Sequence, residues 1–188
     1  AMSPVVDPEP QPAPQTEPAP AAEPVVGPPP ALTDEQKGFE FESWVADRFP
    51  RRSFDLKDWR SDKITANGRY AKSTQDPDMV IDLVLGVNRF HFAVECKWRQ
   101  RYNDGVINLT KTGDKLDVYR SYALSQKRPV FIVLGVDGLP SAPADLYIVP
   151  LTDVRSATMS VAELKPYKQS MSRKDGFFFD REKVLLKY

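Results

Sequence analysis

Apolar positions along this chain fall into a few distinct rhythms. From Met79 to Leu85 (MVIDLVL) and from Phe90 to Trp98 (FHFAVECKW) they are almost continuous. Runs of that length, joined by the turn-forming residues Gly86 to Arg89, read as two strands of a hairpin buried on both faces. Val130 to Val136 (VFIVLGV) is a third such run, and Leu146 to Val149 adds another strand. Elsewhere the spacing is helical. Phe41, Trp44, Val45 and Phe49 form one stripe, and Thr33-Asp34-Glu35-Gln36 ahead of them is a capping box. A helix is therefore expected from Thr33 to about Phe49, halted by Pro50. A second helix is expected over Gly113 to Gln126, with Leu116, Tyr119, Tyr122 and Ala123 as its inner face and both tyrosines as core. Ser53 to Arg60 reads as a strand with Phe54 and Leu56 inward. Ser160 to Leu164 reads as a short helix, and Gly176 to Leu186 as a closing strand or hairpin.

Charges interrupt the two most apolar runs. Asp78 and Asp82 belong to the first, Glu95 and Lys97 to the second. An unpaired charge in apolar surroundings is expensive, so something must compensate these four, and a bound metal ion is one candidate. Residues two apart in a strand share a face, which puts Glu95 and Lys97 on the same side. With the turn centred on Val87-Asn88, Val80 falls opposite Glu95. Asp78 and Asp82 then lie on that face one step to either side. Two carboxylates and an ammonium converge, a donor set suited to a hard cation that keeps part of its water.

Pro77-Asp78, sixteen intervening residues and then Glu95-Cys96-Lys97 resemble the PD-(D/E)xK motif of the restriction-endonuclease-like nuclease superfamily. The string Lys37-Gly38-Phe39-Glu40-Phe41-Glu42 is similar to the first helix of the Mrr-type and Holliday-junction-resolvase branch. The resemblance implies an α/β fold with an α-β-β-β-α-β core, a central mixed sheet flanked by helices. It also implies that Asp78 and Glu95 ligate Mg²⁺, with Mn²⁺ able to substitute. Lys97 would help activate the attacking water, and Glu42, four after the glycine, would reach the same site in preference to Glu40. Asp78 carries the literal Pro-Asp pair and is the first choice. Asp82, in its Ile81-Asp82-Leu83-Val84 context, is the second, with the spacing to Glu95 of the resolvase branch. Without the resemblance, Glu42 reads equally well as a solvated helix residue.

Composition refines the picture. The chain has 188 residues, room for one domain, and its 26 basic and 26 acidic side chains balance. That balance hides an asymmetry. Residues 1–30 hold eleven of the eighteen prolines and four acids but no Lys or Arg, which leaves a net of +4 on the remainder. Such a segment buries too little apolar surface to offset its ordering entropy. Residues 1–32 are expected to be a semi-extended Pro/Ala/Glu-rich linker, tethered to an unknown partner, and residues 33–188 the nuclease-like domain. A lone cysteine excludes an internal disulfide, and no apolar run approaches the roughly 20 residues of a membrane helix. A cytoplasmic location is expected, with an upstream anchor left open.

Basic residues follow the motif directly: Arg99, Arg101, then Lys111 and Lys115. Arg99, Arg101 and Lys115 are expected to contact DNA phosphates, with Trp98 and Tyr102 as stacking or packing groups. Lys63, Arg69, Tyr70 and Lys72, in the polar stretch before the hairpin, are further candidates. The expected function is metal-dependent hydrolysis of DNA phosphodiesters by an endonuclease of restriction or repair type. The substrate is double-stranded, with branched, modified or damaged forms among the candidates, and a homodimer is common in the family. The alternative is a DNA-binding module that keeps the fold without the chemistry.

Overall fold

The computed structural model describes residues 31–59, 76–110, 112–172 and 175–188. The proline-rich segment over residues 1–30, the loop candidates Lys63, Arg69, Tyr70 and Lys72, and Lys111 lie outside the described residues.

Helix α1 (Asp34–Ala46) starts at a reciprocal cap. Thr33 Oγ1 accepts from the Gln36 amide, and the Gln36 side chain accepts from the Thr33 amide. Four strands and a second helix follow: β1 (Phe54–Trp59), β2 (Met79–Leu85), β3 (Asn88–Arg99), β4 (Val106–Asn108) and α2 (Gly113–Gln126). Beyond them come β5 (Val130–Leu139), β6 (Ala142–Pro150), β7 (Thr158–Ser160), α3 (Val161–Leu164), β8 (Phe178–Asp180) and β9 (Leu185–Lys187). The expected α-β-β-β-α-β order is present, with the three-residue β4 inserted before α2.

The main sheet has five strands in the order β1-β2-β3-β5-β6 and is mixed. β1, β2 and β3 pair antiparallel, β3 and β5 pair parallel, and β5 and β6 form an antiparallel hairpin. Parallel neighbours need a crossover, and the chain between β3 and β5 contains α2. Two small sheets, β4-β7 and β8-β9, complete the described fold. The first was not legible in the sequence, because its two short strands lie far apart in the chain, whereas β8 and β9 are joined by a local turn.

Alternation along the central strands splits the core into two layers. Ile81, Phe92, Val94, Cys96 and Val133 pack with Phe41, Trp44 and Val45 of α1. Val80, Ala93, Ile132 and Leu134 pack with Leu116, Tyr119 and Tyr122 of α2. Glu95 and Lys97 continue the second set, so both point to the α2 side of the sheet.

Two expectations are corrected. The β2-β3 turn is centred on Gly86-Val87, since Leu85 pairs with Asn88, and Gly86 takes the positive φ of +62° that a two-residue loop demands. Val80 therefore faces Ala93 rather than Glu95. Leu56 is 39% exposed: β1 is an edge strand of the main sheet, and its register slips just beyond Leu56.

Candidate active site

The two-residue shift in register decides which aspartate meets Glu95. Met79 pairs with Val94, so one further step along the ladder sets Asp78 across from Glu95. The Cys96 amide, next to Glu95, donates to Asp78 Oδ2 at 2.8 Å. That bond pins the carboxylate at the start of β2, where Pro77 and the end of the ladder leave the chain free to turn. Asp78 and Glu95 are 4% and 2% exposed.

Asp82 shares their face but lies opposite His91, about 13 Å of strand away from the Glu95 level at 3.3 Å per residue. It is as buried as Glu95, and its charge is matched locally. His91 Nδ1 lies 2.5 Å from Asp82 Oδ1, and Arg89 Nη1 is 3.4 Å from Oδ2. Arg89 also reaches Asp55 at 3.0 Å, tying the hairpin to the edge strand. The second-choice ligand is therefore held in a separate cluster.

Glu95 has two differently occupied oxygens. Lys97 Nζ donates to Oε1, and the hydroxyl of Tyr119, reaching across from α2, donates to the same atom at 2.5 Å. Oε2 is buried and has no hydrogen-bond partner among the described residues. Burial alone would push the Lys97 amine down, but the carboxylates of Glu95 and Asp78 outweigh it and hold the amine above its ordinary range. Lys97 is thus an ammonium at neutral pH in this arrangement. Burial and the same two carboxylates push the Tyr119 hydroxyl up, so it remains a donor.

Glu42 is buried, but it is set on α1, which packs on the other side of the sheet. Its charge is felt at the Cys96 thiol together with those of Asp78 and Glu95, all of which add to burial in raising that thiol's pKa. Among the described residues no three His, Cys, Asp or Glu side chains gather closely enough to hold a metal ion. The expected set is therefore brought together only in part: Asp78, Glu95 and Lys97 lie on one face, and Glu42 lies on the helix that packs against the other.

A divalent cation fits this donor set in one specific respect. A carboxylate oxygen buried without a donor costs on the order of 1–3 kcal/mol, more for a charged group, and Glu95 Oε2 is such an atom. Two carboxylates plus water is the shell that Mg²⁺ accepts, because it sheds its hydration reluctantly.

The basic residues separate. Arg99 is half-buried: its Nε donates to the Asn108 carbonyl at 2.8 Å and its Nη1 to the Trp98 carbonyl at 2.9 Å. Burial lowers its pKa while the charge of Glu95 opposes that, which places Arg99 within electrostatic reach of the site. Arg101 is exposed in the turn after β3, and Lys115 is half-buried on the first turn of α2. Of the two aromatics, Trp98 packs on the α1 layer. Tyr102 is bonded to Asp145 at 2.9 Å and to Tyr147 at 2.6 Å. Packing, rather than stacking on a ligand, accounts for both.

Tyr119 is the residue that periodicity read only as core. The one available signal was chemical: a tyrosine, rather than a phenylalanine, on the inner face of the helix that follows the Glu95-Cys96-Lys97 strand.

No family model matches the chain, and no curated protein matches it. Among the described residues no helix is long and apolar enough to cross a membrane. Among solved structures, the chain is similar to a Holliday junction resolvase from the hyperthermophilic archaeon Archaeoglobus fulgidus, at 16% identity and a TM-score of 0.46, over 77% of this chain and 99% of that one.

Proposed function

We propose that this protein is a metal-dependent nuclease that hydrolyses phosphodiester bonds of double-stranded DNA, acting as an endonuclease. The observation that carries this reading is the buried, unpartnered Oε2 of Glu95, set across from Asp78 and beside the Lys97 ammonium. A purely structural ion pair would not leave one carboxylate oxygen without a donor.

Asp78 and Glu95 Oε2 would hold Mg²⁺ or Mn²⁺. When bound, the cation supplies charge for the phosphate oxygens and acidifies its water. Lys97 would orient the attacking water or steady the negative charge that develops on the phosphate. Asp78 is held in place by the Cys96 amide. Glu42 acts at longer range, as a charge behind the strand or through water. Arg99 and Arg101, which follow Lys97, and Lys115 at the start of α2 would meet the DNA backbone. Arg99 does so with its remaining guanidinium nitrogen, the other two being held by carbonyls.

The test is cleavage of supercoiled plasmid and of a four-way junction with Mg²⁺ or Mn²⁺. We expect nicking and linear product with the wild type, none in EDTA, and none with Lys97→Ala or Glu95→Gln that retain the wild-type circular dichroism. DNA binding without cleavage in either metal would favour the non-catalytic module and sink this reading.

A further inference from the structure

Glu95 Oε1 receives two donors while Oε2 receives none, and the second donor comes from a different element. Tyr119 sits on α2, 1% exposed, with Leu116 and Tyr122 packed around it. Packing alone would be served equally by phenylalanine, which carries no hydroxyl needing a partner in the core. The hydroxyl is therefore the informative atom. We propose that Tyr119 is a positioning residue for the cation site: it fixes Glu95 through Oε1, so that Oε2 is the oxygen presented to the metal.

This role of Tyr119 rests on the nuclease reading above and has two consequences. First, a carboxylate free to rotate can offer either oxygen or both. One whose Oε1 is clamped from β3 and α2 together offers a single oxygen in a fixed direction, and supporting hydrogen bonds of this kind tune metal affinity. Second, Oε1 has a donor to spare. Lys97 can leave it to meet a water or a phosphate oxygen without orphaning the carboxylate, because Tyr119 stays. The tyrosine thereby separates two jobs that a lone Glu95–Lys97 pair could not perform at once.

Mn²⁺ binding by the purified full chain, followed by calorimetry and by the loss of the free-ion electron paramagnetic resonance signal, reads this without any turnover. Tyr119→Phe is expected to bind Mn²⁺ about 10–100-fold more weakly than the wild type, the range seen when the support of a metal ligand is removed. Lys97→Ala in the wild-type background should keep most of the affinity, and Lys97→Ala combined with Tyr119→Phe should lose more than the two single changes predict. Wild-type affinity in Tyr119→Phe overturns the proposal. So does a Tyr119→Phe protein that fails to fold, since the hydroxyl would then serve stability. If the wild type and Glu95→Gln bind Mn²⁺ equally poorly, the metal site itself is refuted, which is a different failure.

Discussion

At the scale of single residues, two buried aspartates of the same strand have different neighbours and should behave differently. Asp78 stands opposite Glu95 and accepts from the Cys96 backbone amide. Asp82 is paired with the Arg89 guanidinium and with the ring of His91, which is itself half-exposed. Asp78→Asn is expected to abolish cleavage and to weaken Mn²⁺ binding while the fold survives. Asp82→Asn is expected to keep cleavage within a few-fold and to lower stability by about 1–3 kcal/mol, as an ionic partner is lost from a buried cluster. Denaturant melts of both variants, set beside their nicking rates, check this. The reverse pattern would move the metal to Asp82. The sequence held both candidates open because each lies on the correct face. Parity is fixed by the period of the strand, and a two-residue error in register leaves parity untouched.

At the scale of elements, the site depends on how closely α1 and α2 approach the sheet. Phe41 of α1 packs directly on Gly135 of β5. A Cβ placed there would lie 2.5 Å from the Phe41 ring and 3.1 Å from Cβ of Pro143. Phe41 is fully buried and precedes Glu42, so the helix cannot yield by swinging a side chain into solvent. Gly135→Ala should cost about 1–3 kcal/mol through overpacking, measured by chemical denaturation. It should also shift α1, and with it the Glu42 charge, more than it shifts Glu95, whose supports come from β3 and α2. The helices themselves were legible because their caps and stripes are local: Thr33 with Gln36, and Phe41 with Trp44 and Val45. The β4-β7 pair was not, and it bears on the site, because the Asn108 carbonyl of β4 is what holds Arg99. A carbonyl partner has no signature in sequence, so Arg99 read as a free phosphate contact when two of its nitrogens are engaged.

At the scale of the whole molecule, the net of +4 on residues 31–188 is a modest charge with which to draw in DNA. Affinity should come from a few placed contacts, and its salt dependence should be correspondingly shallow. Each phosphate neutralised contributes about −0.9 to the slope of log K against log salt. Arg101→Ala and Lys115→Ala are each expected to flatten that slope by about one, with little effect on which DNA is bound. Fluorescence anisotropy of a labelled duplex across a salt series, in Ca²⁺ to prevent cleavage, measures it. An unchanged slope in both variants would remove these residues from the interface.

Sequence by itself determined the order of the main strands and helices, the faces on which Asp78, Asp82, Glu95 and Lys97 lie, and the kind of chemistry such charges can serve. Those properties are written in periodicity and residue type, which act over a few neighbours along the chain. Only the tertiary structure decided that Asp78 stands opposite Glu95, that Arg89 and His91 satisfy Asp82, and that Tyr119 takes one oxygen of Glu95 and leaves the other open. Each of these depends on register across strands or on the seating of a helix against the sheet, contacts between residues distant in the chain that no local pattern encodes.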